Sequence, residues 1–438
     1  MDSIAALWTR AQALEQRKSW DEARAVYESI VGREPMHVPA RLRLSRFEQF
    51  ADHYLESKQH LWRAVDSVRE HANTRNIGHV TARLLEFAEE QEVAGLIESV
   101  NWSDQHVRRQ SPALAQHLWL AGRYAEALRF LDAVQSHVPP HPLLTYTRAN
   151  VFRYLGQMDA AEREYEAAIA LSPSFPDAHW SLSTHSKSTP PGARVERIRS
   201  ALTAHPPASV EQAHLYYALF REHDAADQTD QAWAALAAGA AIMRSRSQYD
   251  PEREAARLRT WLHAKASVDG GEDDETLKPI FVVGLPRTGT TLLDRMLSNH
   301  PSVVSLGERN DFSAAVSETG NHFFGSLASA DYGSWIWDLD APRAGRLYLH
   351  RLRMFAPEAC HVIDKNPQNL FNLPLILKAL PDARILCVKR EPMDACFSNL
   401  KELFQGGAYP YSYSLDHLAS HYRQASSWID YWQRIAPQ

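Results

Sequence analysis

The pattern of apolar and polar positions changes near residue 279. Before that point the pattern is helical and repeats over the first 250 residues, whereas after it short apolar runs alternate with helical stretches. The apolar runs predict strands at 280–283, 301–305, 361–363 and 385–388. The stretches between and after them predict helices at 290–299, 343–355, 369–380, 392–404 and 415–434. Alternating strands and helices predict a mostly parallel, doubly wound sheet, whose ligands bind beyond the carboxyl ends of the strands.

The first part of the chain repeats with a period of 34 residues. One set of small residues and prolines returns 34 positions later: Gly122, Ala127 and Pro139 recur as Gly156, Ala161 and Pro173, and Ala115 recurs as Ala149. Small residues let two helices pack closely, and proline ends the second helix. This arrangement resembles the tetratricopeptide repeat, and Ala11, Ala23, Tyr27 and Pro35 fit the same template. We predict about six repeats, with a generic helical bundle as the alternative.

The predicted fold class is an N-terminal α-helical, tetratricopeptide-like solenoid followed by a P-loop-like α/β domain with a mostly parallel sheet. The change of pattern places the helical repeat domain at 1–250 and the α/β domain at 279–438. Residues 251–278 are predicted to form a connecting helix and a linker, because the run 269–275 is acidic and contains glycine.

Composition narrows the classes of function. With 438 residues the chain is long enough for two or more domains, and a net charge of -6 gives no reason to expect nucleic acid or an anionic membrane as a partner. The three cysteines have neither the number of a disulfide framework nor the spacing of a metal site. The N-terminus lacks a basic and apolar leader pattern, and no stretch stays apolar for the roughly 18 residues of a membrane span. We predict a soluble cytoplasmic protein without a metal site.

Residues 284–291, which we call the phosphate loop, join the first predicted strand of the α/β domain to its first helix. The loop has Gly284, four residues, Gly289 and then two threonines. A glycine-rich turn in this place directs backbone N–H groups and the positive end of a helix dipole at an anion. Nucleotide triphosphatases carry a lysine after the second glycine, but here that position is Thr290 and the positive charge is on Arg287. The loop therefore predicts phosphate binding and disfavours an ordinary ATPase, GTPase or kinase.

Charged and polar side chains also follow the other three predicted strands. Glu308 follows the second strand, Lys365 follows the third and Arg390 follows the fourth, with Ser398 one to two turns into the next helix. Because the carboxyl ends of parallel strands share one edge of a sheet, these side chains are expected near the phosphate loop. Their charges predict a polyanionic nucleotide as the ligand.

At this point the sequence resembles a known family. The phosphate loop, followed by His300 and Pro301, is similar to the 5′-phosphosulfate-binding loop of sulfotransferases, and 388–398 resembles their 3′-phosphate-binding segment. The stretches 307–309 and 364–367 look closest to those of protein-tyrosine sulfotransferases. The order of the two parts is similar to that of bacterial tetratricopeptide-repeat sulfotransferases. The resemblance covers about 279–434 of the chain.

The resemblance implies 3′-phosphoadenosine 5′-phosphosulfate as the sulfuryl donor and assigns roles to single residues. Glu308 is implied as the general base that takes the acceptor proton, with His300 as the rival base. Lys365 is implied to meet the oxygen between phosphorus and sulfur, and Arg287 to stabilise the transferring group. No metal is required, because cationic side chains neutralise the charge. The residues implied in donor binding are Arg287, Thr288, Gly289, Thr290, Thr291, Arg390 and Ser398.

The implied function is transfer of a sulfuryl group to a hydroxyl acceptor, with protein tyrosine as the first choice. The repeats would then recruit a protein or peptide acceptor, although they could equally serve homo-oligomerisation. The alternatives are a catalytically weak scaffold that binds protein partners, and a sulfotransferase for a small phenol, a carbohydrate or a lipid. The family usually continues beyond the last predicted helix, so we expect the domain at 279–438 to be either unusually short or C-terminally incomplete.

Two groups of aromatic residues remain open. Trp335 and Trp337 could line an acceptor cleft, but alternating aromatics more often divide between the surface and the core. Tyr409, Tyr411 and Tyr413 could face the acceptor or become sulfated themselves. We interpret them as an ordinary solvent-facing loop.

Overall fold

A computed structural model of the chain describes residues 2–185, 190–262, 277–404 and 407–436. Up to residue 262 the described chain is helical, apart from its turns, and includes one 3-10 helix at Thr74–Asn76. The α-helices of this part are α1 (Ile4–Gln16), α2 (Trp20–Arg33), α3 (Val38–Phe50), α4 (Tyr54–His71), α5 (Ile77–Glu86), α6 (Glu90–Ser99), α7 (Gln105–Leu120), α8 (Tyr124–Gln135), α9 (Pro142–Tyr154), α10 (Met158–Leu171), α11 (Pro176–His185), α12 (Val195–Leu202), α13 (Val210–Ala225), α14 (Thr229–Arg246) and α15 (Pro251–Leu262). The predicted helical region is confirmed.

The small residues of the 34-residue period lie where helices pack. The four alanines in phase are fully buried: Ala115, Ala127, Ala149 and Ala161. Gly122 and Gly156 adopt φ angles of 70° and 77° in the turns before α8 and α10. A left-handed turn residue followed by a helix with a small buried residue is what the repeat pattern predicts, because a larger side chain would hold the helices apart.

The chain divides into two compact units. The first unit contains Met1–Pro190 together with Asn321–Phe323, and the second contains Pro191–Gly320 and Phe324–Gln438. Helices α12 to α15 therefore lie in the same unit as the sheet. The domain limits predicted from sequence rest on the change of hydrophobic pattern rather than on contacts, and they remain a prediction.

The helices of the second unit that precede the sheet are bonded to its later elements. The Tyr217 hydroxyl on α13 donates to the Leu400 carbonyl at 3.0 Å. The Ser247 hydroxyl donates to the Pro410 carbonyl at 2.9 Å, and the Gln424 amide donates to the Pro251 carbonyl at 2.9 Å. Residues before 279 thus form part of the packing around the α/β domain.

The α/β domain has a four-stranded parallel sheet in the order β2-β3-β1-β4. The strands are β1 (Lys278–Gly284), β2 (Val303–Ser305), β3 (His361–Asp364) and β4 (Arg384–Val388). The α-helices are α16 (Thr290–Leu297), α17 (Asp311–Gly320), α18 (Ala341–Phe355), α19 (Leu373–Ala379), α20 (Pro392–Leu400) and α21 (Leu415–Ile435). Three 3-10 helices, Ser334–Ile336, Pro367–Asn372 and Pro410–Tyr413, complete the described elements.

The four predicted strands and the predicted parallel sheet are confirmed. Three elements differ from the prediction. The helix predicted at 369–380 begins as the 3-10 helix Pro367–Asn372 and becomes α-helical only at Leu373. The second strand begins at Val303, after Pro301, which lacks the N–H that a ladder needs. Helix α17 was not predicted.

An aromatic core fixes β1 between α17 and α18. The Phe281 ring stacks on Tyr348 with centroids 5.5 Å apart, and Phe312 meets both rings edge-on. All three side chains are fully buried. On the α21 side Trp428 is buried and its indole N–H donates to the Leu370 carbonyl at 2.8 Å. These contacts hold the carboxyl ends of β1 and β3 in place.

Two sequence predictions concern chain segments rather than packing. The acidic run 269–275, predicted to be a linker, lies outside the described residues. Among the helices that the structure describes, none combines the length with the apolar character that crossing a bilayer requires.

Candidate active site

The phosphate loop begins where β1 passes closest to β4. A Cβ atom at Gly284 would lie 2.5 Å from the Val388 carbonyl oxygen, so only glycine fits there. Gly289 has a φ of 109° and directly precedes α16, whose first residue is Thr290. The loop therefore reaches the helix N-terminus in the geometry that aims backbone N–H groups at an anion.

Hydrogen bonds hold the loop in one shape. The Thr288 hydroxyl donates to the Leu285 carbonyl at 2.7 Å, and the Asn399 side-chain amide donates to the Pro286 carbonyl at 2.8 Å. Thr288 and Thr290 are buried, whereas the Thr291 side chain is exposed. Because its hydroxyl is bonded inside the loop, Thr288 is suited to offer its backbone N–H to a phosphate, and Thr291 can offer its hydroxyl.

Arg287 lies at the exposed turn of the loop. Its φ is 65°, a left-handed conformation that costs a non-glycine residue about 1–2 kcal/mol. The Arg287 carbonyl accepts a hydrogen bond from Arg390 Nη1 at 3.1 Å, which supports that conformation. The side chain is half exposed and its guanidinium lies 3.7 Å from the Glu402 carboxylate. The guanidinium can therefore turn toward an anion in the loop at little cost.

The segment after β4 meets the phosphate loop through Arg390. The Arg390 side chain is partly exposed. The backbone carbonyl of Arg390 accepts a hydrogen bond from the Tyr422 hydroxyl of α21 at 2.8 Å. Glu391 caps α20 by accepting from the backbone N–H groups of Met393 and Asp394. Ser398 is buried on that helix, one residue before the Asn399 that bonds the loop. Arg390 and Ser398 are thus both attached to the loop side of the sheet.

Glu308 and Lys365 form an ion pair, with 2.5 Å between Lys365 Nζ and Glu308 Oε1. The backbone brings them together, since Lys365 N–H donates to the Gly307 carbonyl at 2.9 Å where the parallel strands β2 and β3 end. Only 8% of the Lys365 side chain is exposed, against 56% for Glu308. The residues implied as the general base and as the stabilising cation are therefore in direct contact, and the implied base is the more exposed of the two.

A second group of polar residues fixes the two backbone segments that carry the Glu308–Lys365 pair. Asn366 donates to the Arg309 carbonyl at 2.8 Å, which links the segments carrying Lys365 and Glu308. Arg309 is buried, is paired with Asp311 and covers the Phe355 ring at 3.6 Å. Both segments are consequently fixed by bonds that do not involve the Glu308 and Lys365 side chains.

Asp364 is fully buried at the end of β3. Its carboxyl accepts from the Tyr348 hydroxyl at 3.0 Å and from the Asn369 amide at 3.3 Å. Burial raises the pKa of Asp364 to about 7, although the Tyr348 bond acts in the opposite direction. Asp364 therefore belongs to the buried packing of the domain.

His300 stands apart from the Glu308–Lys365 pair in its contacts. Its side chain is exposed, and Nδ1 accepts from the Ser302 backbone N–H at 3.2 Å. This bond shapes the turn between α16 and β2, in keeping with a residue that ends a helix.

Residues 279–438 match the sequence model of the Sulfotransferase family. The chain carries a sulfotransferase-family domain. Residues 149–183 match the model of a tetratricopeptide repeat. The predicted resemblance to sulfotransferases in the α/β domain and to tetratricopeptide repeats in the helical region is therefore confirmed.

Two further comparisons describe similar proteins. An uncharacterized protein of Aquifex aeolicus (strain VF5) is 22% identical over 332 residues, which is 71% of this chain and 42% of the relative. The chain thus spans less than half of that relative. A crystal structure of a tetratricopeptide repeat protein from Parabacteroides merdae ATCC 43184 aligns with 57% of this chain and 94% of its own, at 12% identity and a TM-score of 0.40.

A cavity of about 450 Å³ adjoins the phosphate loop of the sulfotransferase domain. Its lining includes Gly284, Leu285 and Pro286 from the loop, and Tyr409 and Tyr411 from the segment before α21. The prediction of a solvent-facing tyrosine loop is wrong for Tyr411 and Tyr413, which are buried. The reason is that Tyr411 stacks on the His421 ring, with centroids 3.5 Å apart.

Trp335 and Trp337 are not among the residues that line this cavity. Trp337 is exposed in part and stacks on Trp261 with centroids 4.0 Å apart. Trp335 packs against Tyr332 and closely approaches Gly320. Trp337 is thus the surface side chain of the pair, whereas Trp335 is partly buried and packs against the core without belonging to it.

Sequence reasoning missed Asn399, Asn366 and the residues before 279 that line the cavity. Asn399 follows Ser398 directly, so a search for polar side chains on the same helix would have found it. Tyr249 and Glu254 carry no such signal, because they precede the sulfotransferase domain and contact it only in the folded chain.

Proposed function

We propose that the protein transfers a sulfuryl group from 3′-phosphoadenosine 5′-phosphosulfate to a hydroxyl acceptor. The observation that carries the proposal is the bond from the Arg390 guanidinium to the Arg287 carbonyl. This bond joins the phosphate loop to the segment after β4, and each of the two segments offers groups that can bind an anion. The two bonded residues are 103 positions apart in the sequence. A donor with a 5′-phosphosulfate and a 3′-phosphate has two anionic ends for two such segments. The sulfotransferase-family match supports the same donor.

The residues divide between holding the donor and transferring the group. Backbone N–H groups of Thr288 to Thr291, the Thr291 hydroxyl and Arg287 would hold the 5′-phosphosulfate, and Arg390 with Ser398 would hold the 3′-phosphate. In-line transfer of this kind depends mainly on positioning and on charge stabilisation. The fixed shape of the loop favours both.

The proposed transfer breaks one bond and forms another at sulfur. The acceptor oxygen forms an S–O bond while the bond from sulfur to the bridging phosphate oxygen breaks, and 3′,5′-adenosine diphosphate leaves. The acceptor proton goes to the Glu308 carboxylate, and Lys365 stabilises the negative charge that grows on the bridging oxygen. The 2.5 Å ion pair keeps both groups in place before the reaction and can separate as new partners arrive.

We propose tyrosine in a protein as the acceptor. A phenol has a pKa near 10, so a carboxylate can remove its proton as the S–O bond forms. A tetratricopeptide array commonly offers a concave surface for an extended peptide or a helix, and would recruit such an acceptor here. The alternative acceptors are a small phenol, a carbohydrate and a lipid, and the alternative function is a repeat scaffold without turnover.

A transfer assay on whole lysate tests the proposal. Donor labelled in its sulfuryl group is incubated with the full-length protein and host lysate, and the labelled product is hydrolysed and identified. The proposal expects label on tyrosine with the wild type and not with Glu308→Gln. Label on a sugar hydroxyl and never on tyrosine would overturn the acceptor, and absence of any transfer by a protein that binds the donor would favour the scaffold.

A further inference from the structure

The wall of the cavity contains a buried acid and a buried imidazole as well as the first residues of the phosphate loop. Glu254 and His421 are 6% and 2% exposed. The Glu254 Oε2 atom accepts from the Tyr249 hydroxyl at 2.6 Å and lies 2.9 Å from His421 Nδ1. All three residues line the cavity. Because a carboxylate only accepts, it fixes the imidazole proton on Nδ1 and leaves Nε2 for another partner.

That second nitrogen has no partner among the residues that the structure describes. His421 Nε2 is buried and makes no hydrogen bond with any residue in the described parts of the chain. A buried polar atom without a partner costs about 1–3 kcal/mol, so native proteins rarely keep one without a reason. An atom of this kind in the wall of a cavity indicates that a ligand supplies the missing bond.

The walls around this nitrogen are aromatic. The Tyr411 ring is stacked on the His421 ring at an interplanar angle of 15°, and Phe371 meets His421 at 63°. Tyr249 meets Tyr411 edge-on with centroids 5.8 Å apart. Aromatic rings prefer offset-stacked or edge-to-face neighbours, so these walls suit a planar ring as occupant.

Tyr409 connects the cavity with Glu308, the acid of the ion pair. Burial raises the pKa of the Tyr409 hydroxyl, and the negative charge of Glu308 raises it further. Tyr409 lines the cavity together with the first residues of the phosphate loop. A ring in the cavity can therefore have one end toward the loop and the other toward His421.

We infer that this cavity is the acceptor pocket, and that it takes a phenol carrying a second hydrogen-bonding group, which pairs with His421 Nε2. This inference rests on the proposed function and adds residues that lie outside the family match, since Tyr249 and Glu254 precede residue 279. A volume of about 450 Å³ falls within the range of small-ligand pockets and exceeds what a bare phenol needs. His421 is a positioning residue here, held by Glu254.

The first test compares two acceptors in the full-length protein. N-acetyl-L-tyrosinamide has a phenol and a hydrogen-bonding amide, whereas 4-methylphenol has the phenol alone. His421→Phe keeps a ring in the wall and removes the nitrogen. The ratio of kcat/KM for N-acetyl-L-tyrosinamide to that for 4-methylphenol should fall roughly 10-fold, the value of one hydrogen bond.

A matched control uses the neighbouring histidine on the same helix. His417→Phe alters a side chain that also contacts Tyr249 but does not line the cavity. It should leave the ratio within twofold of the wild type. General damage to the fold would lower kcat/KM for both acceptors by the same factor. A changed ratio therefore reports on the second hydrogen bond. An unchanged ratio in folded His421→Phe would overturn the role of this residue.

The second test fills the cavity from its mouth. Ala408 is exposed and lines the cavity, so Ala408→Trp adds a large ring without disturbing the core, and Ala408→Ser is its control. Saturation-transfer NMR should detect N-acetyl-L-tyrosinamide on the wild type and on Ala408→Ser, with the signal lost in Ala408→Trp. Binding that persists in Ala408→Trp would overturn the inference.

Affinity for 3′,5′-adenosine diphosphate separates the two proposals. If every variant and the wild type bind this nucleotide alike, a failed acceptor test contradicts the pocket and leaves the donor assignment standing. If the wild type does not bind 3′,5′-adenosine diphosphate but still binds N-acetyl-L-tyrosinamide in the cavity, the sulfotransferase proposal fails. The assignment of the cavity as a binding pocket then still stands.

Discussion

The repeat region of the first unit and the candidate active site of the second are built from contacts of different range. In the repeats, α9 packs against α10 and α10 against α11, so helices that follow one another in the sequence are in contact. In the site, Glu308 pairs with Lys365 57 residues away, and Asn399 bonds the phosphate loop from 113 residues away. A local pattern is enough to specify the first arrangement. The second depends on the sheet, which brings distant strand ends together.

The comparison predicts that variants in the two regions have separable effects. A change in the site should alter transfer or donor binding without changing the stability of the repeats, and a change in the repeat packing should do the opposite.

The largest effect is expected for Glu308→Gln. Removal of a general base lowers the rate about 10²–10⁴-fold, and transfer of labelled sulfuryl should fall by that order. The free energy of unfolding should change little, because position 308 is half exposed and the glutamine amide oxygen can still accept a hydrogen bond from Lys365. Glu358→Gln, at an exposed position, is the control. If His300→Ala abolishes transfer and Glu308→Gln does not, the base has been assigned to the wrong residue.

The pH dependence of stability tests the packing around the buried Asp364 carboxyl. Its pKa is about 7 in the folded state against an ordinary value of 3.8, so the unfolded chain loses the proton first as the pH rises. Stability should therefore be greatest below pH 4 for this group and fall between about pH 4 and 7, by up to about 1.4 kcal/mol per pH unit.

Asp364→Asn removes this titration, and urea unfolding from pH 4.5 to 7.5 should show a flatter dependence than the wild type. Asp338→Asn, at an exposed position, should keep the wild-type slope. A wild-type slope in Asp364→Asn would show that the pH dependence arises elsewhere.

Arg390→Ala tests the joint between the loop and the 3′-phosphate segment. Hydrogen bonds to charged groups contribute about 1.5–3 kcal/mol, so the affinity for 3′,5′-adenosine diphosphate should fall roughly 10- to 100-fold. Arg346→Ala on α18 removes an exposed arginine and should leave the affinity unchanged. Calorimetric titration measures both variants, and equal affinities would contradict a role for Arg390 in donor binding.

Ala161→Leu tests the repeat packing alone. Ala161 is fully buried on α10, so three extra carbon atoms should destabilise the first unit by about 1–3 kcal/mol. Ala167→Leu places the same side chain on the exposed face of the same helix and should have little effect. Thermal unfolding measures the difference. A loss of nucleotide affinity in Ala161→Leu at a temperature where the protein is folded would break the separation between the regions.

Much of the fold follows from the sequence because its signals are local. The four strands and the helix after Gly289 follow from apolar runs and turn residues, and the repeats follow from small residues in phase. The exposure of Tyr411 does not follow, because it is decided by His421 on a helix that begins later in the chain.

The candidate site divides in the same way. Residues at strand ends, such as Arg287 and Glu308, are found because parallel strands share one edge. That Glu308 pairs with Lys365 required the register of β2 and β3. Glu254 could not be assigned, since its partner His421 is 167 residues away and no motif links them.

The central claim is that this site binds a nucleotide by its 3′-phosphate as well as its 5′ end. Calorimetric titration of the full-length wild type with 3′,5′-adenosine diphosphate, ADP and ATP tests it most directly. We expect 3′,5′-adenosine diphosphate to bind at least about 10-fold more tightly than ADP or ATP, since only it offers a phosphate to Arg390 and Ser398. Equal affinities, or a preference for ATP, would contradict the claim.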